Sequence, residues 1–101
     1  MADKILLAFC VHSHQPVGNY HEVFEKGTRE CYLPFLRILR EYPDIRMTLH
    51  YTGPLLEWFD AHAPEFFEIL SELVHRSQVE LMGGGFYEPI LSVIPERDAL
   101  A

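Results

Sequence analysis

Two short segments hold the side chains best suited to chemistry, His12-Ser13-His14-Gln15-Pro16 and Gly83-Gly84-Gly85-Phe86-Tyr87-Glu88-Pro89. An imidazole donates or accepts hydrogen bonds and changes charge near neutral pH. Gln15 offers a donor and an acceptor on one amide. In extended chain, residues two apart share a face, so His12 and His14 point the same way. Such groups suit an uncharged, polyhydroxylated ligand such as a sugar. Glu88 stands among Phe86, Tyr87 and Pro89. A carboxylate among aromatic rings in a cleft is partly desolvated, and aromatic faces stack on the apolar side of sugar rings. The plainer alternatives are a histidine that packs on the sheet and satisfies backbone carbonyls, and a Glu88 that caps a turn or pairs with Arg97.

The remaining candidates are weaker. The triple glycine allows positive φ or close approach to a ligand. It is not a phosphate loop, because no Lys-Ser/Thr follows and no helix starts directly after it. Trp58, between Glu57 and Phe59, reads as helix packing rather than a sugar platform. His50 reads as a satisfied core residue near the cleft, and His62 and His75 as surface residues on helices. Asp60, Glu65, Glu68 and Glu72 are most simply a solvated helix face.

The elements that must position these loops follow from apolar patterning. Lys4 to Val11 is nearly all apolar and too short for most helices, which predicts a strand buried on both faces. The segment from His12 to Asn19 contains Pro16 and Gly18 and is expected to be a loop at the strand's C-terminal end. From Arg29 to Tyr42, Leu33, Leu36, Leu39 and Tyr42 recur at helical spacing, and Pro43 stops the helix. Pro34 marks either a first turn or a kink. Ile45 to Tyr51 is the second strand. A short helix over Pro54 to Asp60 follows, and another begins near Pro64 with Phe66, Phe67, Leu70, Leu73 and Val74 on its apolar face. Gln78 to Met82 is the third strand, and Pro95 opens a further helical turn. Alternating strands and helices imply parallel βαβ units, whose ligands bind at the C-terminal strand ends. The loops after the three strands therefore converge.

Composition narrows the classes. The 101 residues contain 49% hydrophobic and 23% charged residues, as an ordinary globular chain does. A net charge of −7 with 8 Lys+Arg excludes a nucleic-acid surface built on phosphate neutralisation and a polybasic membrane anchor. The longest apolar run, Ile5 to Val11, spans 7 residues, against about 20 for a bilayer crossing. No signal-peptide pattern is present, so a cytoplasmic location is expected. Cys10 and Cys31 are expected to be reduced thiols.

The ordered pair, His-Gln-Pro after the first strand and Gly-Phe-Tyr-Glu-Pro after the third, resembles glycoside hydrolase family 57. FCVHSHQPVGN is similar to that family's first conserved region and GGGFYEPILSVIP to its second. YTGPLLEWF and PFLRILREYP are similar to its 4-α-glucanotransferase and α-amylase branch. The resemblance spans about residues 4 to 98 and implies that residues 1–101 are the N-terminal βαβαβ portion of a parallel seven-stranded (β/α) barrel of the α/β class. A barrel of this kind needs about 250 residues, so the chain reads as truncated. The resemblance also implies retaining chemistry on α-1,4-glucans, an α-glucan oligosaccharide or starch-like substrate, and no cofactor or metal. By the same resemblance His14 and Glu88 contact sugar on the donor side, with His12 and Gln15 lining the pocket. The nucleophilic Glu and general-acid Asp belong to later regions. No residue among these 101 is then catalytic, and the chain alone is expected to be inactive.

Two other readings remain open at this point. His-x-His at the end of a first strand is also how metal-dependent hydrolase and deacetylase barrels begin a site, with imidazoles that suit Zn²⁺. Alternatively the chain is a non-catalytic interaction module. The unpaired edges of its first and third strands would then associate with the remainder of a barrel or with a second copy.

Overall fold

The computed structural model describes residues 3–100. Three strands, β1 (Cys10–Ser13), β2 (Met47–Tyr51) and β3 (Val79–Leu81), form one parallel sheet in the order β1-β2-β3. Helices α1 (His21–Gly27) and α2 (Leu33–Glu41), joined by a π-helical turn at Thr28–Tyr32, connect β1 to β2. Helices α3 (Gly53–His62) and α4 (Glu65–His75) connect β2 to β3, and a final turn, α5 (Glu96–Ala99), follows the glycine loop. The expected βαβαβ order is therefore present.

Burial on β2 alternates as the pleat requires: Leu49 and Tyr51 face the helices and are buried. Behind them Leu36, Leu55, Phe59, Phe66 and Leu73 are fully buried. The rings of Phe59 and Phe66 stack with centroids 3.9 Å apart, and Tyr51 meets Phe66 edge-on at 5.1 Å. The helical spacing foresaw Leu33, Leu36 and Leu39 in α2 and Phe66, Leu70 and Leu73 in α4, all buried. It missed Ile69, which is buried, and overrated Tyr42 and Val74, which are exposed.

One buried amide ties this core together. Gln78 Nε2 donates to the carbonyls of Leu39, Tyr42 and Ile45 at 2.8–2.9 Å, and its Oε1 accepts from Arg76 Nε at 2.7 Å. The C-terminal end of α2 is thus pinned beside the start of β2 and β3. The Leu39 and Tyr42 carbonyls also accept the backbone N–H groups of Tyr42 and Ile45, so the amide adds a second donor to a helix end that is already turned back on itself.

Two expectations need correction. The first strand is not Lys4 to Val11 but Cys10–Ser13, so His12 lies in the strand and not in the loop after it. Residues 3–9 have no regular structure, and Ile5, Leu6 and Leu7 are 94%, 93% and 86% exposed. A strand is buried on both faces only between layers and between neighbouring strands; among the described residues β1 has β2 alone. The second correction concerns the helix expected from Arg29. Helical structure begins at His21, and Pro34 falls in the first turn of α2. Pro34 has no N–H to give to the carbonyl four residues back. The turn before it widens, with the Leu33 N–H bonded to the Thr28 carbonyl instead. The chain continues through the proline as helix.

Candidate sugar-binding site

Strand register builds the first part of the site. His12 on β1 and His50 on β2 are partners in the parallel ladder, so their side chains leave the same face. That face is opposite Leu49 and Tyr51, away from the helical layer. The two Nδ1 atoms are 2.7 Å apart, and the rings lie nearly parallel with centroids separated by 4.9 Å. A hydrogen bond at this distance puts a proton on one Nδ1 and a lone pair on the other. His14, two residues beyond His12, stacks at a longer 6.2 Å.

The loop after β3 brings the carboxylate. Glu88 Oε1 is 3.1 Å from His12 Nε2 and Oε2 is 2.9 Å from His14 Nδ1, so one carboxylate bridges both imidazoles. His50 Nδ1 is 3.8 Å from Oε1. Among the described residues Glu88 is the sole carboxylate within ion-pair distance of these three rings. Arg97 pairs with Asp98, not with Glu88. Exposure of the His12, His14 and Glu88 side chains is 49%, 46% and 31%, whereas His50 is at 14%. The cluster therefore has an open face towards solvent and a buried floor.

Backbone features hold Glu88 in place. Its φ is +54°, in the left-handed region that costs a non-glycine residue about 1–2 kcal/mol, and its N–H bonds the Gly85 carbonyl at 3.1 Å. The loop docks on α3 through the Gly53 N–H, which donates to the Phe86 carbonyl at 2.9 Å. A Cβ at Gly53 would sit 2.3 Å from the Phe86 ring, so the close approach requires glycine there. Beneath the imidazoles, a Cβ at Gly84 would come within 3.2 Å of His50 Nε2. Phe86 and Tyr87 meet edge-to-face at 4.7 Å and stay partly exposed beside Glu88.

The sequence-predicted residues divide. His12, His14 and Glu88 come together. Gln15 stands apart: its Nε2 donates to Tyr32 Oη at 3.0 Å and its Oε1 accepts from Asn19 at 2.9 Å. That pair of bonds fastens the loop after β1 to the π turn. His50 joins the cluster and was undervalued as a core residue. The signal lay in register, since a histidine late in β2 is level with one late in β1. Trp58 is packed as expected, stacked between Phe24 and His62. Cys10 and Cys31 are free. Tyr51, the neighbour of His50, is buried, which pushes its phenol well above the ordinary value, with nearby Cys31 and Tyr32 adding to the shift.

The arrangement can hydrogen-bond adjacent hydroxyls through two imidazoles and a carboxylate while aromatic rings stand alongside. Three ligand atoms from His12, His14 and Glu88 also lie within 4.8 Å of one another, a spacing that could hold a metal ion. No helix among the described residues is long and apolar enough to cross a membrane.

Known proteins resemble the chain closely. The model of the family described as "Glycosyl hydrolase family 57" matches residues 8–101. An alpha-amylase of Pyrococcus furiosus is 47% identical over 100 residues, covering 99% of this chain and 15% of that protein. A 4-alpha-glucanotransferase of Thermococcus litoralis is 42% identical over 98 residues, with 97% and 15% covered. The crystal structure of 4-alpha-glucanotransferase from Thermococcus litoralis superposes with a TM-score of 0.88 at 43% identity, covering 92% of this chain and 15% of that one. The chain thus spans about 15% of the length of the curated relatives it matches.

Proposed function

The chain belongs to glycosyl hydrolase family 57, and from that premise we propose that it forms the donor-side sugar-binding wall of an enzyme acting on α-1,4-glucans. The observation that carries this reading is the single carboxylate of Glu88 bridging His12 and His14 at 3.1 and 2.9 Å. In the bound state a sugar hydroxyl pair replaces part of that bridge, donating to Glu88 and accepting from an imidazole N–H. Phe86 and Tyr87 supply apolar contact beside it. Gln15, with its amide committed to Tyr32 and Asn19, shapes the wall from behind.

The catalytic pair lies outside these 101 residues. Retaining transfer needs two carboxylates about 5–5.5 Å apart, one to attack the anomeric carbon and one to protonate the leaving oxygen. The imidazole cluster faces one carboxylate, Glu88, among the described residues. The outer edges of β1 and β3 and the exposed Leu81, Met82, Ile90, Leu91 and Val93 support docking of further barrel strands and helices.

The test is a titration of the ¹⁵N-labelled chain with maltotriose, followed by an activity assay on maltoheptaose. Amide shifts are expected at residues 12–15 and 84–88, lost in His14→Gln and in Glu88→Gln, with no change in oligosaccharide length. Shifts that survive both substitutions would sink the binding assignment. Disproportionation or hydrolysis by the chain, abolished in Glu88→Gln, would sink the claim that the catalytic carboxylates lie elsewhere.

A further inference from the structure

His12, His14 and Glu88 are arranged as metal ligands are, independently of any glucan. Zn–N and Zn–O bonds are about 2.0–2.2 Å, so neighbouring donors in a tetrahedral set stand about 3.3 Å apart. His12 Nε2 is 3.1 Å from Glu88 Oε1 and His14 Nδ1 is 2.9 Å from Glu88 Oε2, so each carboxylate oxygen has one imidazole within a few tenths of that spacing. One donor atom from each of the three residues falls within 4.8 Å of the others.

The second ring nitrogen of His12 is held as well. Its Nδ1 meets His50 Nδ1 at 2.7 Å, and His50 is largely buried against Gly84. A partner on the far ring nitrogen fixes the tautomer and orientation of a metal-bound histidine. The half-exposed side chains of His12 and His14 leave one side of the cluster to solvent. Two imidazoles with one carboxylate favour Zn²⁺, Co²⁺ or Ni²⁺ over Ca²⁺ and Mg²⁺, which take oxygen ligands.

We propose that His12 Nε2, His14 Nδ1 and the Glu88 carboxylate bind one divalent transition-metal ion of the Zn²⁺ class, with the fourth position open to water. His50 is a positioning residue behind His12. The protons balance without net release from neutral rings. Without the ion, His12 Nε2–H and His14 Nδ1–H donate to Glu88 and His50 Nδ1–H donates to His12 Nδ1. With the ion, His12 carries its proton on Nδ1, and His14 and His50 carry theirs on Nε2.

A second histidine group provides the internal control. His21 and His62 lie with ring centroids 4.8 Å apart beside Glu25, but the Nδ1 atoms of both are taken by Trp58. Titrating the metal-free chain with Co²⁺ at neutral pH should give the visible bands of a four-coordinate nitrogen–oxygen site, saturating at one ion and displaced by Zn²⁺. His14→Gln and Glu88→Gln should each weaken binding at least tenfold, and His50→Ala roughly tenfold to a hundredfold. Circular dichroism of each solvent-facing variant should match the parent, which separates lost ligands from lost folding. The His21→Ala/His62→Ala chain should bind as the parent does. No saturable uptake at millimolar Co²⁺, or uptake retained in His14→Gln and lost in the His21/His62 variant, overturns the assignment. The readout uses no glucan, so failure of the metal site and failure of the sugar site are told apart.

Discussion

His12 and His50 occupy paired positions on adjacent parallel strands, and their Nδ1 atoms are 2.7 Å apart. The register of the sheet, not any local motif, makes this pair. It converts two histidines 38 residues apart into one rigid unit that aims His12 Nε2 at Glu88. Removing His50 should therefore loosen His12 without touching ligand. In His50→Ala, maltotriose binding is expected to weaken about fivefold, the equivalent of one neutral hydrogen bond of about 1 kcal/mol. Far-UV circular dichroism should be unchanged. Calorimetric titration checks this, and an unaltered affinity would show that His12 needs no support from β2.

Gly53 sets the position of the second loop. A methyl group there would meet the Phe86 ring at 2.3 Å and the Phe86 carbonyl oxygen at 2.6 Å. Gly53→Ala should cost about 1–3 kcal/mol, the range for overpacking. It should also shift the NMR signals of residues 83–89 more than those of α4. A variant with parental stability and an unmoved loop would contradict this account of docking.

The two N–H groups of Gln78 are shared among three carbonyls, those of Leu39, Tyr42 and Ile45. Gln78→Met keeps the volume but takes the Gln78 donor from the Ile45 carbonyl and the acceptor from Arg76 Nε, while Leu39 and Tyr42 keep their backbone donors, and should cost about 1–3 kcal/mol. The urea midpoint is the measurement. A drop shared by the signals of α2 and β3 is expected, because the amide joins both; an unchanged midpoint would refute it.

Tyr51 gives a pH dependence. Burial raises its phenol above the ordinary value of 10.0, so the folded chain holds the proton that the unfolded chain releases. The associated stability is complete below pH 10.0 and falls as pH rises beyond it towards the folded value. Urea midpoints measured from neutral to strongly alkaline pH should decline above that point, and more steeply in the parent than in Tyr51→Phe. Identical declines would mean that another group controls alkaline unfolding.

Much of the molecule was legible from residue order. The alternation of strands with helices, the apolar faces of α2 and α4, and the two loops carrying His14 and Glu88 follow from local periodicity and from breaker residues at Pro16, Gly18 and Gly83 to Gly85, whereas His12 falls in β1. These are properties of neighbouring residues, which a linear reading captures. The sequence also carried the family likeness, because the motifs keep their order and spacing.

Three things belonged to the tertiary structure alone. The apolar run before Cys10 is exposed, because burial depends on neighbouring layers that a run of residues does not encode. Gln15 turns to Tyr32 and Asn19 while His50 turns to His12, because hydrogen-bond partners are chosen by distance after folding. Glu88 bridges two imidazoles because strand register and a left-handed backbone at its own position bring a loop more than 70 residues away onto the end of β1. Residue types specified what the site could do; the sheet decided which of them meet.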